Sequence, residues 1–371
     1  MIASPSLLTM VIGFLLVLGP LIIVHELGHY LVGRLFGIKA DAFSVGFGKE
    51  IAGLTDRRGT RWKLSALPIG GYVQFAGDMN PASAPSAATD GLTPQERAQT
   101  FHVKPLWQRA LVVLAGPLTN LLCAVAIFAG FNMIYGRITA VPEVSAIAAN
   151  SPAQKAGLQV GDRIVSVSGH AIDDFNEIPE YVAPYPGEIV PVEVLRKGRS
   201  ITVPVQIGAE VEKDRFGNEA TVGRLGIAAG RGAIVKVGPL EAVRIGVEQS
   251  LGIMRLMATG IAQIFTGERS VKELGGPIKI AKYSGEQLTL GWAPFVGFAA
   301  LISINLAFIN LLPIPGLDGG HLAFYAAEAV RRKPLDLRSQ EWAVRTGVAL
   351  VLALMLIVTI NDLASLPIFG G

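Results

Sequence analysis

Long uncharged stretches set the layout of this 371-residue chain. No Asp, Glu, Lys or Arg occurs in 1–24, 110–135, 287–317 or 346–361. A membrane-crossing helix needs roughly 20 mainly apolar residues, and flanking residues can extend a shorter run. Four spans are therefore predicted, at about 7–30, 108–135, 291–313 and 343–365. The first lacks the basic leader and small-residue cleavage site of a signal peptide, so it is expected to be retained. Between the spans the hydrophobic period changes. Residues 43–78 mix aromatic, β-branched and alternating positions bounded by glycines, with "TDRRGT" (55–60) as the turn, and predict a β-hairpin beside the first span. Such a hairpin dips into a membrane only where protein surrounds it; a plain cytoplasmic hairpin is the equal alternative. "NPASAPSAATDG" (80–91) reads as a linker. Residues 141–208 read as a compact α/β module: strand, short helix, Gly-Asp turn, strand, then two strands around "RKGR". Residues 239–265 have helical periodicity with Glu241, Arg244, Glu248 and Arg255 among them, which suits a helix lying on a membrane surface. Arg255 in its middle argues against a fifth span.

Composition strengthens the membrane reading. Hydrophobic residues make up 51% and charged residues 16%, with a mean hydropathy of +0.47; an ordinary globular chain is about 25% charged. The placement of charge predicts orientation. Residues 34–109 hold ten Lys/Arg against six Asp/Glu, 328–345 hold five against three, and the long segment 137–286 holds 17 of each. Short basic segments stay in the cytoplasm, whereas long domains cross largely regardless of charge. Segments 34–109 and 314–342 are thus expected inside, and 137–286 and both termini outside. Cys123, the single cysteine, cannot form an intrachain disulfide and is expected to be a small packing residue.

The chemistry begins at His25-Glu26-Leu27-Gly28-His29, an H-E-x-x-H sequence at the end of the first uncharged stretch. Positions i and i+4 share one helix face, so both imidazoles can reach one Zn²⁺, with Glu26 beside them to take a proton from water. Polar groups in a span are functional by default. A catalytic zinc site uses three protein ligands. Asp41, Glu50, Asp78, His102, Asp318 and His321 are candidates for the third. Asp318 is favoured, because "NLLPIPGLDGGHL" (310–322) breaks the helix with prolines and glycines just after an uncharged span. His321 is the alternative.

"HELGH", "LAGPLTN" (114–120), the α/β module, "LGGPIKIAK" (274–282) and "NLLPIPGLDGGH" together resemble the site-2 protease family of intramembrane zinc metalloproteases over nearly the whole chain. The resemblance is greatest to bacterial members of the sigma E-regulating type. Those carry two tandem PDZ domains; here "SPAQKAGLQVGDRIVSVSG" (151–169) resembles a single one. The resemblance implies that His25, His29 and Asp318 hold Zn²⁺ and that Glu26 activates water. It also implies that Asn310, Asn305 and Asn120 clamp substrate, although Asn120 equally suits helix packing.

The expected protein is thus a polytopic α-helical membrane protein with four transmembrane helices, a membrane-proximal β-hairpin and one inserted α/β PDZ-like domain. Its parts are an N-terminal membrane core (1–136), a periplasmic PDZ-like domain (137–210), an interfacial helical segment (211–286) and a C-terminal membrane core (287–371). The expected activity is cleavage of single-span membrane proteins, such as anti-sigma factors and remnant signal peptides, in the bilayer of the bacterial inner membrane. An upstream site-1 protease would cut first, and no nucleic acid is expected as a partner. A replaced helix needs new backbone partners, and the hairpin offers a strand edge for them. Rival readings are a transporter or ion relay, for which no inverted repeat is visible, and a silent PDZ adaptor, against which Glu26 and the full ligand set argue.

Overall fold

The computed structural model describes residues 5–77, 93–213, 219–267, 270, 273 and 275–364. Asp78 and the linker 80–91 lie outside the described residues. Two compact units are present: residues 1–127 with 275–360, and residues 128–274 with 361–371.

In the first unit, α1 (Leu7–Leu35) is capped by Ser6, whose side chain accepts from the Thr9 N–H. It runs past the predicted end at residue 30 and stops only at Gly37, in the left-handed region at φ 70°. A hairpin follows, β1 (Ala40–Thr55) and β2 (Arg61–Phe75). Its turn lies at the predicted "TDRRGT": Asp56 accepts from the N–H groups of Arg58 and Thr60, and Gly59 takes φ 82°. The hairpin folds back on itself. Phe43 and Ser44 pair with Val73 and Tyr72 on one side and with Trp62 and Lys63 on the other. Segment 71–75 is thereby left at an edge of the curled sheet. After the short α2 (Pro94–Ala98) and a single 3₁₀ turn (Phe101–Val103) comes α3 (Leu106–Tyr135), which continues into the second unit.

The second unit holds a module whose strands and helices are, in order, β3 (Arg137–Thr139), β4 (Val144–Ile147), α4 (Pro152–Ala156), β5 (Arg163–Val167), β6 (His170–Ala171), α5 (Ile178–Val182), β7 (Ile189–Arg196), β8 (Arg199–Gln206), β9 (Gly208–Lys213), β10 (Glu219–Arg224), β11 (Ile227–Ala229) and β12 (Ala233–Val235). A four-stranded sheet of order β6-β5-β7-β8 covers an apolar core that includes Val144, Ile164, Val192 and Val205. Alternating burial along β7 matches a sheet with one covered face. Buried Asp162 pairs with Arg196 at 2.6 Å, and Arg196 also donates to the Gly157 carbonyl. Strand pairing continues beyond residue 210. β11 pairs with β4, which ties 227–229 to 144–147, and β12 pairs with β3. Within the stretch read as helical, 211–213, 219–224 and 227–229 are strand instead. α6 (Pro239–Thr266) forms where helical periodicity predicted it, and its Gln263 side chain donates to the Pro184 carbonyl.

The chain re-enters the first unit through α7 (Pro277–Leu290), which packs on α1. A Cβ at Gly13 would come within 2.8 Å of the Ser284 carbonyl, and one at Gly285 within 2.9 Å of Met10 Cα. α8 (Trp292–Leu311), α9 (Asp318–Arg331) and α10 (Leu337–Ala364) complete the fold. Leu312 is extended, and Pro313, Pro315 and Gly316 (φ 97°) reverse the chain before α9. Among the described residues, four helices, α1, α3, α8 and most of α10, are long and apolar enough to cross a membrane. α6 is not among them. Their limits differ from the predicted spans by up to about six residues, because hydropathy marks the apolar stretch whereas caps and breakers end the helix.

Candidate metal centre and active site

α1 carries His25, Glu26 and His29 on adjoining positions, and the proline-glycine reversal after α8 delivers Asp318 at the first residue of α9. The reversal is tight because Gly319 and Gly320 have no Cβ. A Cβ at Gly320 would lie 2.6 Å from Pro315 Cα, and one at Gly319 would overlap the Leu312 carbonyl. The result is convergence. His25 Nε2 lies 3.2 Å from His29 Nε2 and 3.2 Å from Asp318 Oδ2, and His29 Nε2 lies 3.5 Å from the same oxygen.

These separations test the donor set for a metal. Ligands bonded at about 2.0–2.1 Å in a tetrahedron are about 3.3 Å apart, which is the spacing found. Asp318 Oδ2 is buried and makes no well-formed hydrogen bond among the described residues; it faces the two Nε2 atoms. His29 Nδ1 lies 2.8 Å from the Val112 carbonyl of α3. Donation there leaves the Nε2 lone pair free for a cation. Gly116, also on α3, makes the space: a Cβ there would lie 2.8 Å from His25 Cε1 and overlap His29 Nε2. Gly28 lets α1 close onto α3, since a Cβ there would overlap the Ala115 carbonyl and the Thr119 hydroxyl. Two nitrogens and one carboxylate oxygen, with room for a further ligand, fit zinc.

Glu26 lies beside this centre, with the Val73 backbone N–H facing its carboxylate. Gly71 of β2 rests on α1, where a Cβ would sit 3.0 Å from Ile22 Cγ2 and 3.1 Å from Glu26 Cγ. The hairpin thus lies against the active-site helix. A cavity of about 460 Å³ opens over the centre, with Glu26, Tyr72, Asn120, Asn310 and His321 in its wall.

Among the predicted residues, the structure brings together His25, Glu26, His29, Asp318, Asn310 and Asn120. Asn305 is not in the cavity wall. His321 is in the wall but outside the ligand triplet. Asp41 and Glu50 are engaged elsewhere, by Lys39 at 3.0 Å and Arg61 at 2.5 Å. His102 belongs to a neighbouring polar cluster. There Arg109 pairs with Glu328 at 3.2 Å and stacks 4.9 Å over the Tyr325 ring. Burial, helped by the charges of Arg109 and His321, lowers the His102 pKa to about 4. Sequence reasoning missed Gly28, Gly116 and the Val112 carbonyl. The available signal was a glycine within an apolar helical run, which marks close backbone approach.

Comparison with known proteins agrees with this chemistry. The model of peptidase family M50 matches residues 13–354. A candidate zinc metalloprotease by name, from Agrobacterium fabrum, is 42% identical over 371 residues, covering 99% of this chain and 98% of the relative. Another of that description, from Rhizobium meliloti, is 44% identical over 355 residues, covering 94% and 95%. The metalloprotease MmpA of Caulobacter vibrioides is 33% identical over 386 residues, covering 98% and 97%. With these matches, the chain belongs to peptidase family M50, the site-2 protease family, and is a zinc metalloprotease.

Proposed function

We propose that the protein is an intramembrane endopeptidase in which His25, His29 and Asp318 hold the zinc ion and Glu26 is the general base. The observation that carries this reading is the 3.2–3.5 Å convergence of three ligand atoms from two uncharged helical regions. Zinc, when bound, supplies Lewis acidity toward water and the scissile carbonyl. The Glu26 carboxylate accepts the proton of the attacking water and later delivers it to the leaving amine nitrogen. Asn310 holds the substrate backbone across the cavity, whereas Asn305 lies out of the cavity wall.

Substrates are single-span membrane proteins of the anti-sigma type, together with remnant signal peptides. A helical span hides its peptide groups in its own hydrogen bonds. The edge segment 71–75 supports a way round this: its backbone can take up an unwound substrate as an added strand, beside Glu26. The 144–229 module is PDZ-like and periplasmic, and acts as a filter that admits spans already cut by a site-1 protease. The inner membrane is the site of action, with the active centre toward the cytoplasmic side, as the basic segments suggest.

The test is a reporter span cleaved by the purified full-length chain in lipid. Glu26→Gln should retain zinc while cleavage falls by about 10²–10⁴-fold. Unchanged cleavage would remove Glu26 as the base, and cleavage at the normal rate by Asp318→Ala would remove the third ligand.

A further inference from the structure

We infer that Asn120 is a positioning residue, whose side-chain carbonyl accepts the Nδ1 proton of His25 and so turns the Nε2 lone pair toward the metal. This rests on the ligand assignment above and replaces the expectation that Asn120 clamps substrate. Three observations carry it. Asn120 is fully buried. Its amide faces His25 Nδ1, with Nδ2 at 3.4 Å. Its Oδ1 is buried with no hydrogen-bond partner among the described residues.

The arrangement has a chemical consequence. A neutral imidazole carries one proton. If Nδ1 accepts from the Asn120 amide, that proton sits on Nε2, facing Asp318 Oδ2 at 3.2 Å. This is self-consistent without a metal, but it blocks Nε2 as a ligand. A half-turn of the amide exchanges oxygen and nitrogen. Oδ1 then gains the donor it lacks, Nδ1 holds the proton, and Nε2 presents its lone pair. An asparagine can therefore partner either tautomer. His29 has no such choice, because its Nδ1 faces a backbone carbonyl at 2.8 Å that can only accept. The Asn120 turn is itself held from α8, where the buried Ser303 hydroxyl donates to the Asn120 carbonyl at 2.7 Å. α3 thus supplies the outer partner of both histidines, and ligating histidines are commonly oriented this way.

The experiment measures zinc affinity of the full-length protein in detergent, by competition with a chromophoric chelator, and follows melting of the metal-free protein as a fold control. Asn120→Leu keeps the shape and removes the acceptor; affinity should fall by about 10–100-fold. Asn120→Asp keeps only the acceptor, and affinity should equal or exceed that of the parent. Wild-type affinity in Asn120→Leu would overturn the inference. So would a tenfold or greater loss in Asn120→Asp, since that variant retains the group the inference requires; it also decides the matter if Asn120→Leu does not fold. His25→Ala separates the two levels of the argument. Loss of zinc there with wild-type affinity in Asn120→Leu rejects the positioning role alone. Wild-type affinity in His25→Ala rejects the ligand assignment, and the inference with it.

Discussion

Single residues decide how closely α1 and α3 approach, and glycine is the informative case. Two glycines on α3 have opposite surroundings. Gly116 faces the imidazoles closely enough that a Cβ would overlap His29 Nε2, whereas Gly130 has nothing within 4 Å of a built Cβ. Helix propensity alone favours alanine over glycine by about 1 kcal/mol at either site. At Gly116 the overlap opposes it, and inserting atoms into a packed interior costs about 1–3 kcal/mol. Gly116→Ala should therefore weaken zinc binding and lower the melting temperature. Gly130→Ala should leave zinc binding unchanged and be neutral or mildly stabilising. Melting curves and chelator competition on the two variants side by side check this; equal effects would show that crowding at the histidines is not what Gly116 relieves.

At the scale of elements, the hairpin and the reversal before α9 matter most. β2 reaches the centre because Gly71 lets its backbone lie on α1 next to Glu26. Trp62, Tyr30 and Phe43 pack edge-on and tilted behind it, with ring centroids 4.5–5.9 Å apart. These contacts pack β1 and β2 against α1. In Gly71→Ala the new Cβ would crowd the Ser44 carbonyl, Ile22 and Glu26, so β2 must shift by a few tenths of an ångström. Small displacements of positioning groups cost one to two orders of magnitude in rate, so cleavage should drop by about tenfold or more while zinc affinity stays at the wild-type level. Parallel measurements of bound zinc and reporter cleavage check it. Loss of both would mean that the strand supports the metal site rather than the substrate.

Across the whole molecule, a chain of long apolar helices is interrupted by a folded α/β module whose entry and exit strands pair. Thr139 pairs with Ala233 and Arg137 with Val235, so the entry and exit of the module are neighbours. Residues 140–232 can then be replaced by a short glycine-rich turn with little strain on the β3–β12 pair. If the module filters substrates, the shortened protein should keep its zinc affinity and begin to cleave full-length spans that the parent leaves intact. Gel analysis of precut and uncut reporters against both proteins checks this. Uncut spans that stay resistant would end the filter reading.

Much of this was legible from local pattern. Four uncharged stretches correspond to four long apolar helices, the turn at 55–60 lies where Asp56 and Gly59 put it, and α6 forms where its periodicity indicates. The strand pairing beyond residue 210 was not legible. β11 is a three-residue strand whose partner, β4, lies some 80 positions earlier, and a window of neighbouring residues carries no information on such pairing. The same divide runs through the site. The i, i+4 spacing that puts His25 and His29 on one face is a property of the helix alone, and the chain by itself determined it. The breakers at Pro313, Pro315 and Gly316 likewise marked where Asp318 could turn. Only the tertiary structure decided that this carboxylate meets both imidazoles, that α3 supplies their outer partners, and that Gly116 leaves them room. Those distances depend on how helices remote in sequence pack against one another, and packing is settled by side chains that no local spacing records.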